Sequence, residues 1–248
     1  MYLVAIKSFL KYFSPDRIFV LDDMSLTEKD KRLLKSKIAN LTIEPISKFR
    51  NPDCPTGGCW ERLIFISDLV QNYYTIQLDS DTITIQKPVH VIEGAKKNVS
   101  FTLGTSIGRE IQSIENFSKF ANSFDIKTNS HVQIHAEASL IRTSEGHKKK
   151  YVRGCAGFAQ DSINKKMLID FSNQMGKLIG GKKWQEWGSE QVTSNYLIAN
   201  SDNAFVLPMD RYPYFSPGLD VMKCIFVHFI GDHRFKHGVY RKTAIAVS

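Results

Sequence analysis

Between Tyr2 and Ile43 the apolar residues change their spacing three times. Leu3, Ile6 and Leu10 recur at helical intervals within Tyr2–Tyr12. Arg17-Ile18-Phe19-Val20-Leu21-Asp22-Asp23 is a β-branched, apolar run of strand length. Leu33, Leu34 and Ile38 return to helical spacing behind Ser25 and Glu28, which stand three apart as in a capping box. Leu41-Thr42-Ile43 is extended again. Helix, strand, helix, strand is the grammar of an α/β fold around a mixed, mainly parallel sheet flanked by helices.

The alternation continues along the chain. Trp60–Gln71 reads as a helix, and Tyr73–Leu78, Thr82–Ile85 and Val99–Thr105 as strands. Glu110–Phe124 is mostly helical, and Tyr151–Phe158 is a strand bearing Gly154 and Gly157. Asp161–Ile179 is a helix that Gly180-Gly181 breaks, and Ser189–Ala199 is another. Ala204–Leu207 and Cys224–Phe229 close the set of strands, with loops over Phe49–Gly58 and Pro208–Gly218. No repeat or low-complexity linker interrupts residues 1–248, so one domain is expected.

Composition narrows the class. At 248 residues, with 42% hydrophobic and 23% charged, the chain is neither wholly disordered nor fibrous. The longest apolar run, Cys224 to Ile230, is broken by His228, so no bilayer span is expected. Met1–Leu10 has neither the apolar stretch nor the cleavage site of a signal peptide. Cys54, Cys59, Cys155 and Cys224 fit no zinc spacing and read as reduced thiols in preference to a disulfide, so a cytoplasmic location is expected. Thirty-three basic against 25 acidic residues give a net charge of +8. Such a surface attracts polyanions: nucleic acid, anionic lipid headgroups or phosphorylated small molecules. The runs His147-Lys148-Lys149-Lys150, Lys165-Lys166 and Lys182-Lys183 are diffuse, and no base-stacking aromatics alternate with them. No nucleic-acid partner is therefore expected, while the inner face of a membrane stays open as a peripheral, anionic partner.

The sharpest chemical feature is Tyr74-Thr75-Ile76-Gln77-Leu78-Asp79-Ser80-Asp81, a strand that delivers two carboxylates to its C-terminal end. That is where open α/β sheets bind ligands. Two acids so close repel unless a cation sits between them, and oxygen ligands favour Mg²⁺ or Mn²⁺. The plain alternative is an exposed Asp-rich turn. Far along the chain, Phe226-Val227-His228-Phe229-Ile230-Gly231-Asp232-His233-Arg234-Phe235-Lys236 puts a histidine at the end of a strand, then a glycine and two cations. An imidazole can complete a metal shell and tilts it toward Mn²⁺. Gly231 lets backbone approach a phosphate, and Arg234 or Lys236 can neutralise one. The alternative here is a core histidine beside a basic turn.

In these blocks the sequence resembles metal-dependent glycosyltransferases of the GT-A fold, closest to family 8, which includes glycogenin-like and bacterial galactosyltransferase-like enzymes. Tyr74–Thr84 resembles the family's strand and Asp-x-Asp block, and His228-x-x-Gly231-x-x-Arg234 its His-x-x-Gly-x-x-Lys block, with arginine for lysine. Ser189-Glu190-Gln191, ahead of Asn195, is similar to the segment near the reaction centre. Arg62 falls where an arginine lies near the donor sugar, and Gly154–Phe158 where the family has an Asn-Ser-Gly strand. Ile18–Leu34 resembles the second βα unit, so relative to the family pattern the chain lacks the usual first strand.

The resemblance implies a sugar passed from a nucleoside-diphosphate donor, UDP-linked, to a hydroxyl of a glycan or lipid-linked acceptor. Asp79, Asp81 and His228 would hold Mn²⁺ or Mg²⁺, with Ser80, Gly231, Arg234, Lys236 and Arg62 on the donor. Glu190 and Gln191 would be catalytic, and Trp184 and Trp187 are available to stack on an acceptor or to pack inside. Glu190 is equally a helix N-terminal acid favoured by the macrodipole. Two rivals share these features: a nucleotidyltransferase, and a basic, non-catalytic polyanion-binding protein with a degenerate metal site.

Overall fold

The computed structural model describes residues 1–124, 131–144, 146–154 and 156–247. Cys155 and the side chain of His147, both weighed above, lie outside the described residues. In chain order the first elements are α1 (Tyr2–Leu10), β1 (Ile18–Asp22), α2 (Glu28–Lys37), β2 (Leu41–Pro45), α3 (Trp60–Leu69), β3 (Thr75–Ile76) and β4 (Thr82–Thr84). Then come α4 (Val89–Lys96), β5 (Phe101–Leu103), β6 (Gln112–Ser113), α5 (Ile114–Asn122), α6 (Val132–Ser139), β7 (Lys150–Tyr151) and β8 (Ala156–Phe158). The last are α7 (Lys165–Ile179), α8 (Gly181–Trp184), α9 (Ser189–Ala199), β9 (Phe205–Leu207), β10 (Phe226–His228) and α10 (Val239–Val247).

The class is mixed α/β, with helices around small sheets that are only partly parallel. β1 and β2 pair in parallel across α2, as the opening alternation predicts. The β4–β10, β3–β8, β5–β8 and β6–β7 pairs are antiparallel, so parallel pairing is less general than expected. The chain separates into two compact units, each threaded by distant segments. Unit 1 takes Met1–Lys48, Gln77–Glu93 and Leu207–Ser248, and unit 2 takes Phe49–Ile76 and Gly94–Val206. No helix among the described residues is long and apolar enough to cross a membrane.

In unit 1, α1 is buried on two sides. Ile6 joins Ile18, Leu34 and Ile38 against the β1–α2–β2 unit, and Val4 packs with Ile83, Val227 and Phe229. The start of α2 differs from expectation. Thr27, not Ser25, is the N-cap, and Asp30 closes a reciprocal capping box with it. The cause is Asp22, whose buried carboxylate accepts the N–H of Met24 at 2.9 Å and of Leu26 at 3.3 Å. Those bonds hold Met24 at φ 74 and delay the helix by two residues. Leu33, expected inward, is exposed, because Leu34 and Ile38 already fill the one face that meets the sheet.

Lys31 Nζ also reaches Asp22, at 3.0 Å. Burial raises the Asp22 carboxyl, but the Lys31 bond, the two N–H donors and the Lys31 charge together outweigh it, and the pKa is lowered. A carboxyl lowered on folding stabilises the fold above the unfolded-state value, about 4, and loses that contribution as pH falls through the folded value. Asp22→Asn is expected to cost about 2 kcal/mol at neutral pH, with the deficit vanishing in acid. Urea midpoints of both proteins between neutral and acid pH check this; a pH-independent deficit refutes it.

In unit 2, Trp60, Leu63, Leu140, Tyr151, Phe158, Leu168 and Met175 form a core between α3, α6, α7 and α9. Trp184 belongs to it: the residue is buried, and its Nε1–H donates to Ser172 Oγ at 3.0 Å. Gly180, at φ 90, separates α7 from α8, as Gly180-Gly181 predicts. The strand β8 lies between β3 and β5, with Gly157 opposite Ile76 and Phe101. Before it, Gly154 donates its N–H to Asn195 Oδ1 at 3.1 Å. A Cβ at Gly154 would fall onto the Leu103 carbonyl and Thr102 Oγ1. Gly154→Ala should therefore destabilise by about 3 kcal/mol, because backbone rather than a side-chain tip must yield. A urea midpoint unchanged from the parent would contradict this close approach.

Candidate metal centre

The two carboxylates do not sit at the end of the strand predicted for them. β3 covers only Thr75–Ile76, and Asp79 and Asp81 lie in the segment that leads into β4. They are fixed from the other direction. Thr82, the residue after Asp81, pairs with His228 across the antiparallel β4–β10 ladder. The Phe229 N–H donates to the Asp81 carbonyl at 2.9 Å, and Thr82 Oγ1–H to the Asp79 carbonyl at 2.7 Å. The other edge of His228 is also held. Its N–H donates to the Pro213 carbonyl at 3.1 Å, and its carbonyl accepts from Phe215 at 2.9 Å. The 208–218 stretch thus supplies a partner strand edge at Tyr214, whose ring centroid is 5.4 Å from the His228 ring. Its prolines hid that role, since Pro reads as loop and gives no strand period.

His228 Nε2 lies 3.0 Å from Asp81 Oδ1 and 3.8 Å from Asp79 Oδ2. One ligand atom from each of the three residues falls within 4.8 Å of the others. The side chains of Asp79, Asp81 and His228 are 20%, 13% and 8% exposed. This is not an exposed turn. Burial raises the Asp81 carboxyl, yet the hydrogen bond and charge of His228, with Arg234 behind them, hold it below its ordinary value. Arg234 Nη1 is 3.5 Å from Asp81 Oδ2, and its Nε–H donates to the Gly231 carbonyl at 2.9 Å. Gly231, at φ 60, opens the 3₁₀ turn Gly231–Arg234 that returns the guanidinium to the acids. Tyr240 is raised by its burial and by the charge of Asp81.

The donor set fits a divalent ion. Small cations hold ligands at about 2.1 Å, so adjacent ligand atoms sit about 3 Å apart. His228 Nε2 and Asp81 Oδ1 already stand at that spacing, Asp79 Oδ2 at 3.8 Å from Nε2 would have to move closer, and two carboxylates with one imidazole suit Mn²⁺ or Mg²⁺. One refinement is missing: His228 Nδ1 is buried and has no hydrogen-bond partner among the described residues, whereas metal-bound histidines usually anchor their second ring nitrogen.

Of the other predicted residues, Ser80, Gly231 and Arg234 belong to unit 1 with the cluster. Lys236 also does, but it pairs with Asp232 at 2.8 Å on its own turn. Arg62, Glu190 and Gln191 belong to unit 2. Glu190 is buried in the first turn of α9, behind Gly188 at φ 105 and beside Ser189, whose Oγ accepts from Trp60 Nε1 at 2.8 Å. Trp187, unlike Trp184, is largely exposed, edge-on to His131.

Fold and site together define a mixed α/β protein with a half-buried carboxylate–imidazole cluster suited to a divalent cation. No protein-family model, no curated protein and no solved structure matches the chain.

Proposed function

We propose that the protein is a metal-dependent glycosyltransferase of GT-A type, moving a sugar from a UDP-linked donor to an acceptor hydroxyl of a glycan or lipid-linked saccharide. One observation carries this: Asp79, Asp81 and His228, which the family 8 resemblance joins as one ligand set, lie within 4.8 Å of one another. They would hold the ion. Bound there, a divalent cation supplies charge neutralisation for a departing nucleoside diphosphate.

The chain's own groups act around it. Arg234 adds a guanidinium beside the Asp81 carboxylate, a donor for diphosphate oxygens. Since Lys236 is engaged by Asp232, Arg234 takes the cationic role. Gly231 leaves room for close backbone approach. Ser80 toward the donor keeps the role the resemblance implies, while Glu190, Gln191 and Arg62 belong to unit 2 and their roles rest on the resemblance alone.

The test is release of nucleoside diphosphate from UDP- and GDP-sugars with Mn²⁺ and with EDTA, alongside thermal shifts with and without Mn²⁺. Mn²⁺-dependent release and a raised melting temperature are expected. Polyanion binding that survives EDTA, with no turnover of any sugar nucleotide, would replace this function with the non-catalytic one.

A further inference from the structure

The turn that carries the guanidinium of the cluster also carries an aromatic ring. Phe235 follows Arg234 directly and is 73% exposed. Its N–H donates to the Asp232 carbonyl at 2.9 Å, which fixes the residue at the end of the Gly231–Arg234 turn. The Arg234 guanidinium carbon lies 5.6 Å from the centre of the Phe235 ring. The same guanidinium is 3.5 Å from Asp81 Oδ2, and its Nε–H is tied to the Gly231 carbonyl. Arg234 thus joins the ring to the acids, and all of them belong to unit 1.

A single exposed phenylalanine is ordinary on a protein surface. This one is set apart by what it adjoins. An aromatic face beside a guanidinium suits a flat ring system that carries negative charge at one end. The approach over the turn is open, because Ile230 is exposed as well and a Cβ at Gly231 would meet nothing within 4 Å. A phenyl ring has only two side-chain torsions, so it is held as a contact surface at low entropic cost. A diphosphate taken by Arg234 leaves the nucleoside esterified to it within reach of that ring.

We propose that Phe235 is the platform on which the base of a nucleoside diphosphate stacks. The proposal rests on the transferase reading for the diphosphate, and adds the residue that grips the base and the way it does so. A ring face meets every base alike and reads no base edge. Through Phe235 the protein therefore selects for the presence of a base and not for its identity.

The test is isothermal titration calorimetry of the full chain with UDP, GDP and pyrophosphate, each in the presence of Mn²⁺. UDP and GDP are expected to bind with affinities within about fivefold of each other, and Phe235→Ala should weaken both about tenfold. The same variant should leave the pyrophosphate affinity and the Mn²⁺ thermal shift unchanged, and Phe235→Trp should keep the full nucleotide affinity. Unchanged melting curves without ligand confirm that both variants fold. A UDP affinity that Phe235→Ala does not alter overturns the platform and leaves the transferase reading standing. An equal loss of pyrophosphate also overturns it, because Phe235 would then act only by supporting Arg234. Strong discrimination between UDP and GDP overturns selection by the ring face. If the parent binds neither nucleotide, the transferase reading itself fails, and the platform with it.

Discussion

Asp81→Asn should abolish the Mn²⁺-induced rise in melting temperature and lower sugar-nucleotide turnover about a thousandfold, ~4 kcal/mol of transition-state stabilisation. The substitution keeps size and shape but removes the anionic oxygen 3.0 Å from His228 Nε2 and 3.5 Å from Arg234 Nη1. A neutral amide is a poor ligand for a hard cation, so both readouts should fall together. Without metal the variant should lose only modest stability, since the main-chain bond from Phe229 to residue 81 does not involve the side chain. A variant that keeps its Mn²⁺ shift but loses turnover would detach the ion from Asp81. Full turnover would remove the cluster from the chemistry altogether.

Glu137→Ala should be the most destabilising single change, at about 4 kcal/mol. Glu137 is fully buried in α6. Arg153 Nε donates to its Oε1 at 2.7 Å and Arg153 Nη2 to its Oε2, while Gln133 Nε2 donates to Oε1 at 3.0 Å. Removing the carboxylate leaves a largely buried guanidinium, 5.4 Å from the centre of the Phe120 ring, with no carboxylate partner among the described residues. The cost comes from the orphaned charge rather than from the strength of the pair. Glu137→Leu with Arg153→Met should therefore recover most of the loss. Urea unfolding of the parent, the single and the double variant decides it. If the double variant is as unstable as the single, packing around Glu137 and not charge burial is responsible.

Neither Glu137 nor its helix was legible in the sequence. α4, α6 and α10 are only eight or nine residues long, about two turns, which is too short to show a helical period. Val132–Ser139 buries Val132, Ile134, Ala136, Glu137 and Ser139, a face that mixes apolar and charged residues. An acid that is buried because a distant arginine meets it carries no mark of that in its own neighbourhood. The βα opening, by contrast, was readable because Ile6, Leu34 and Ile38 pack on elements close to them along the chain. The cap of α2 slipped by two residues because the decisive acceptor was the side chain of Asp22, outside the capping pattern itself.

The sequence by itself determined the local chemistry: two carboxylates two residues apart, a histidine followed by a glycine and an arginine, and an α/β opening. These follow from covalent spacing and from the periods of helix and strand. Only the tertiary structure decided that Asp81 and His228, 147 residues apart, would touch. That contact depends on β10 pairing with β4 so that His228 stands opposite Thr82. Strand side chains alternate between faces, so a register slip of one residue would turn the imidazole away from both acids. No spacing within either segment encodes that register; packing on both edges of β10 sets it.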